Sequence, residues 1–101
     1  MTSTEIILHA PEFQNESKYI HNQIEDNLIG KLDAYIRKTA KEWDKIRVEL
    51  TLTRDNKFIS GKLAISFPGS SYRSLRENFV ILDDLINHLF AHVKEQMGKY
   101  R

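Results

Sequence analysis

The stretch Ile46-Arg47-Val48-Glu49-Leu50-Thr51-Leu52-Thr53 decides how the rest of this chain folds. Ile46, Val48, Leu50 and Leu52 alternate without a break with Arg47, Glu49, Thr51 and Thr53. Successive side chains of a strand point to opposite faces, so a period of two puts one face on a core and leaves the other in water. Arg54-Asp55-Asn56-Lys57 reads as a polar turn, and Phe58 to Phe67 resumes the alternation through Ile59, Leu63, Ile65 and Phe67. Two alternating runs joined this way predict a long antiparallel hairpin. Its apolar face must be covered by something else.

The cover lies to either side. Downstream, Pro68-Gly69-Ser70 breaks the strand and Ser71-Tyr72-Arg73-Ser74 reads as a short returning strand. Ser74-Leu75-Arg76-Glu77 has the serine-to-glutamate spacing of a capping box, with Asn78 a competing cap one turn later. Phe79, Leu82, Leu85, Ile86, Leu89, Val93 and Met97 then form one stripe of a helix that Gly98 would end. Upstream, Ile20, Ile24, Leu28, Leu32, Tyr35 and Ile36 step by four and three, which predicts a helix of about 20 residues capped within Asn15-Glu16-Ser17. Gly30 in its middle costs about 1 kcal/mol against alanine; close approach of a neighbouring element is the expected reason. Glu5 to Ala10, closed by Pro11, reads as a first strand. The expected fold is α+β in the order β-α-β-β-β-α: a four-stranded, mostly antiparallel sheet with both helices packed on one face.

With 101 residues and 11.9 kDa, residues 1–101 are read as one domain. Hydrophobic residues at 41% and charged residues at 29% exclude charge-driven disorder. The absence of cysteine excludes disulfides, thiolate metal sites and cysteine nucleophiles, and fits a reducing compartment. No apolar run exceeds five residues, against the roughly 20 of a membrane span. Met1 is not followed by the basic start and apolar run of a signal peptide. A cytoplasmic protein without a membrane partner is expected.

Catalytic constellations are thin. His88 and His92 lie four apart on one helical face with Glu95 beyond, a spacing that could hold a metal. Asn87-His88-Leu89-Phe90-Ala91-His92 nevertheless lacks the glutamate that follows the first histidine in a zinc-protease motif. Two surface histidines are the plainer reading, adding positive charge below about pH 6.5. The adjacent Asp83 and Asp84 point about 100° apart on a helix, which suits salt bridges better than a shared proton. Phe67-Pro68-Gly69-Ser70-Ser71 is a turn rather than a phosphate loop, since Pro68 has no N–H to donate. Nothing around Ser70 or Ser71 marks a nucleophile elbow. Trp43 is expected to plug the end of the core, with base stacking the second reading. No enzyme, metal or cofactor is expected.

Charge is more informative. The net +1 conceals a division: residues 1–30 sum to −4, residues 31–76 to +6, residues 77–93 to −3 and residues 94–101 to +2. Lys31, Arg37, Lys38 and Lys41 occupy the last half of the first helix and its exit. Lys94, Lys99 and Arg101 occupy the end of the second, and Arg73 and Arg76 the loop before it. Cations at helix C-termini complement the macrodipole, so part of this pattern is local stabilisation. If the helices lie side by side, these groups share one edge and form a surface for a polyanion, with salt-sensitive affinity through counterion release.

Several stretches resemble the family of ribosome hibernation promoting factors and ribosome-associated inhibitors in its short form. Gly30-Lys31-Leu32-Asp33-Ala34-Tyr35-Ile36 is similar to that family's first-helix signature, and Ile46 to Leu52 to its second strand. Ile65-Ser66-Phe67-Pro68-Gly69 resembles a strand end and Pro-Gly turn of one branch. Glu77-Asn78-Phe79-Val80-Ile81-Leu82-Asp83-Asp84-Leu85-Ile86-Asn87-His88-Leu89 looks like the second-helix signature. The resemblance implies a β-α-β-β-β-α fold, topologically like double-stranded-RNA-binding domains. It implies binding to the small ribosomal subunit through 16S-type rRNA in the channel for messenger and transfer RNA, and silencing of translation in stationary phase or stress. No chemistry is involved. It also implies a monomer off the ribosome, with any pairing of ribosomes left to a separate dimerisation factor. Lys31 matches the family's motif best, and Lys94 comes near the basic run that closes the second helix. The chain departs from the family in His88-Leu89-Phe90-Ala91-His92-Val93-Lys94-Glu95-Gln96-Met97, where relatives carry a base, Arg-Gln-Leu and several lysines. The alternative function is a protein-interaction or assembly module on the same fold, pairing through the exposed sheet face or an edge strand without binding ribosomes.

Overall fold

The computed structural model describes residues 3–32, 45–67 and 70–99. Strand β1 (Ser3–His9) leads through a 3-10 turn (Pro11–Glu16) into helix α1 (Ser17–Asn27), which continues as one π turn (Leu28–Leu32). Strands β2 (Lys45–Asp55), β3 (Phe58–Phe67) and β4 (Ser70–Phe79) follow, and helix α2 (Leu82–Lys99) comes last. The strands form one sheet in the order β1-β2-β3-β4. β1 runs parallel to β2, and the other two pairs are antiparallel. Parallel neighbours need a crossover, and α1 lies in it.

Register carries the predicted alternation across the sheet. Val48 pairs with Ile65 and Leu50 with Leu63, and on the far side Ile65 and Leu63 pair with Tyr72 and Ser74. Ile46, Val48, Leu50, Leu52, Ile59, Leu63 and Ile65 are all buried. Over them pack Ile20, Ile24 and Leu32 from the first helical segment, and Leu85, Ile86, Leu89, Phe90, Val93 and Met97 from α2. The hairpin turn is two residues, with Asn56 in the left-handed region at φ 57°. Asparagine tolerates that conformation better than most side chains.

The largest correction concerns residues 70–79. Ser74-Leu75-Arg76-Glu77 caps no helix, because these residues belong to β4, which is ten residues long rather than four. Tyr72 and Ser74 turn to the core and pair in register with β3, and ladder pairing overrides the local capping pattern. Asn78, at φ 63°, lies at a register shift between the pairs Gly61–Arg76 and Ile59–Phe79, and α2 begins only at Leu82. Phe79 therefore ends β4, though it still packs against the core. Gly98 lies inside α2 and does not end it.

The start of α1 also differs from expectation. No side chain caps it, since the 3-10 turn runs straight into it and the Ser17 N–H donates to the Gln14 carbonyl. That turn buries Phe13, over whose ring the Arg54 guanidinium lies 4.7 Å from the centroid. Ile20, Ile24, Leu28 and Leu32 are spaced by four, and each such step overshoots an α-helical turn by about 40°. The wider π turn takes up the drift and keeps Leu32 in the core. Tyr35, Ile36 and Trp43 lie outside the described residues.

Gly30 is not a close-packing glycine. It is exposed, and a Cβ there would meet nothing within 4 Å. Gly61 has that role instead: its Cβ would stand 2.9 Å from Leu89 Cδ1, 3.1 Å from Leu52 Cδ2 and 3.3 Å from Leu85 Cδ2, where α2 rests on β3. In urea unfolding, Gly30→Ala should stabilise by about 0.5–1 kcal/mol, and Gly61→Val should destabilise by about 1–3 kcal/mol through overpacking.

Candidate nucleic-acid interface

Lys31 stands at the π turn, on the seam where the first helical segment meets α2. Its Nζ donates to Asn27 Oδ1, one turn back on its own helix, and to Asn87 Oδ1 on α2 at 3.3 Å. Asn27 is itself 5% exposed and donates through Nδ2 to the Gln23 carbonyl at 2.8 Å, so both ends of its amide are used. The ammonium is held by neutral acceptors. Burial lowers its pKa, and the Lys94 charge lowers it further. Two bases 63 positions apart in sequence therefore lie within electrostatic reach of each other. Neither forms an ion pair among the described residues.

Like charges within reach of each other cost stability, and an arriving anion removes that cost. Asn27 and Asn87 are the positioning residues that sequence reasoning missed. Asn27 left one trace, its place four residues before Lys31 on the same helix.

A second contact fixes the helices against each other. The Tyr19 hydroxyl of α1 meets both carboxylate oxygens of Asp83, in the first turn of α2, at 2.6 and 2.7 Å. That hydrogen bond, with smaller help from desolvation and the Asp83 charge, raises the Tyr19 pKa above 10.0. The folded state thus holds the phenolic proton more tightly than the unfolded chain. The latch is intact below the unfolded value and is lost as pH climbs through the folded one. Tyr19 ring resonances should titrate above the ordinary tyrosine range and return to it in Asp83→Asn.

The other expected site residues divide. Arg37, Lys38, Lys41 and Arg101 lie outside the described residues, and Lys99 is described only as the last residue of α2. Arg73 and Arg76 are not in a loop but in β4. Arg76 pairs with Gly61, on the side of the sheet that bears the helices, and its Nη1 donates to the Leu75 carbonyl at 3.3 Å. Arg73 alternates to the opposite, open face and does not join Lys31 and Lys94.

The histidines have local partners. His88 Nδ1 donates to the Asp84 carbonyl at 2.7 Å, and its ring stacks at a tilt on Phe79, 5.1 Å between centroids. His92 Nδ1 shares a hydrogen bond with Ser74 Oγ at 2.9 Å, which satisfies a buried hydroxyl. Among the described residues, no three His, Cys, Asp or Glu side chains come together as a metal site. No described helix is long and apolar enough to cross a membrane.

A mixed four-stranded sheet with two helices on one face, in the order β-α-β-β-β-α, is the fold of ribosomal subunit interface proteins. The N-terminal domain of Protein Y from Thermus thermophilus matches over 100% of both chains, with a TM-score of 0.66 and 17% identity. A ribosomal subunit interface protein from Coxiella burnetii matches over 94% of both chains, with a TM-score of 0.66 and 14% identity. No protein-family model matches the chain, and no curated protein matches it in sequence.

Proposed function

We propose that this chain is a ribosome-associated silencer of translation of the hibernation-factor kind, acting in the cytoplasm by occupying the small subunit rather than by chemistry. The observation that carries this reading is the fold, shared over 100% of both chains with a Protein Y N-terminal domain and over 94% with a ribosomal subunit interface protein. The Lys31–Lys94 seam supports it: neither lysine forms an ion pair among the described residues, and Lys31 is hydrogen-bonded to two asparagines. To the rRNA-binding face we assign Lys31 and Lys94, with Arg76 at its margin; Arg37, Lys38, Lys41, Lys99 and Arg101 are candidates by their place in the sequence. Arg73 takes no part in it.

On this reading the protein competes with messenger and transfer RNA for the small-subunit channel. Purified protein added in excess to a cell-free translation reaction should stop new initiation, and subunits preloaded with messenger and initiator transfer RNA should be protected. Undiminished initiation at saturating protein would overturn it. Stress or stationary phase is the growth condition in which such silencing is of use.

A further inference from the structure

The face of the sheet opposite the helices carries its own pattern. Reading across the strands, one row is Glu5, Arg47, Ser66 and Ser71; the next is Ile7, Glu49, Ala64 and Arg73; the third is His9, Thr51, Lys62 and Leu75. No described element covers this face. Its middle strand offers the small residues Ala64 and Ser66, and they floor a shallow trough of about 190 Å³ walled by Arg47 and Glu49 on β2 and by Ser71 and Arg73 on β4.

The two guanidiniums are differently engaged. Arg47 Nε stands 4.0 Å from Glu5 Oε1, a long and exposed pair. The Arg73 guanidinium makes no ion pair among the described residues, and only its carbonyl is used, by Gln96 Nε2 of α2 at 2.6 Å. Glu49 is occupied by His9 Nε2 at 3.0 Å. That Gln96 contact also closes part of the β4 edge, so a partner's strand is less readily added there than a side chain is laid on the face.

We infer that this trough is a docking site for an acidic segment of a partner protein, seating one carboxylate between Arg47 and Arg73. Guanidinium forks match a planar carboxylate bidentately. The floor residues are small, and Ser66 and Ser71 line the trough with them. Leu75, 53% exposed beside Arg73, gives an apolar side chain next to that carboxylate a surface to lie on. A nucleic-acid backbone fits less well. Glu5 and Glu49 lie on the same face and repel a continuous row of phosphates, whereas the proposed guest places one carboxylate in the trough that Arg47 and Arg73 both line.

The test is a titration of the isotope-labelled protein, followed by amide NMR. The probes are a blocked pentapeptide, Ser-Glu-Leu-Glu-Ser, its Gln-for-Glu counterpart, and inorganic phosphate. The expected result is saturable shifts at Ala64, Ser66, Ser71 and Arg73 with the acidic peptide alone, weakened at least tenfold in Arg47→Gln/Arg73→Gln. The same spectrum reports that the variant is folded. Equal binding of the Gln peptide, tighter binding of phosphate at these amides, or shifts elsewhere would each overturn the assignment. So would loss of ribosome association in the double variant, because it would give these arginines to RNA.

Discussion

On the proposed function, replacing Lys31 by Gln and Lys94 by Glu should lower affinity for small ribosomal subunits about a hundredfold at near-physiological salt. Each lysine meets one phosphate on this account, and a charge-assisted hydrogen bond is worth about 1.5–3 kcal/mol, or roughly tenfold or more per site. The slope of log affinity against log salt should fall by about two, one unit for each phosphate no longer neutralised. Glutamine is chosen at position 31 because it keeps an N–H donor for Asn27 Oδ1, which would otherwise be left buried and unpaired. The fold should not suffer. Burial and Lys94 lower the Lys31 pKa, so the folded state carries a penalty while Lys31 is charged, and that penalty fades as pH rises through its folded value. The double variant should therefore unfold at an unchanged or higher temperature while its binding fails. A structural role for the seam would give the reverse: a lower melting temperature and unaltered sedimentation.

Leu85→Ala is the counterpart in the core, with an expected loss of about 2–5 kcal/mol. Leu85 is 0% exposed and lies over Gly61, where α2 rests on β3. A strand backbone forms one wall of that site, so it collapses little when the side chain is removed. With total stability of order 5–15 kcal/mol, this one truncation removes a large share of it. Urea unfolding by circular dichroism should give a lowered midpoint at an unchanged slope. A change of a few tenths of a kcal/mol would mean that the α2 stripe does not seat on the sheet as described.

The hairpin and both apolar stripes are legible in the sequence because burial on one face writes a strict period of two or of about 3.6. Val48, Leu50, Ile24 and Leu89 stand where that periodicity puts them. β4 is hard to read because its inward face carries Ser74, a polar residue whose hydroxyl is satisfied by His92 across 18 positions of sequence. Local pattern alone favours a helix cap there. Close packing falls to Gly61 rather than Gly30 for a related reason, since a glycine's neighbours come from other elements.

The site follows the same division. Lys31 and Lys94 are visible as bases, and the helix stripes imply a common seam. Asn27 and Asn87, which hold the Lys31 ammonium, carry no such mark. Arg73 would share that edge only if residues 70–79 formed a loop. In a strand its face follows from parity, which turns it to the side away from the helices.

One measurement bears most directly on the central proposal, that the Lys31–Lys94 seam meets rRNA. Purified protein is sedimented with small subunits, with large subunits and with naked duplex RNA across a salt series. The account predicts co-sedimentation with small subunits at low salt that fades steeply as salt rises, and little with the other two. Absence of association at low salt, or association indifferent to salt, would contradict it.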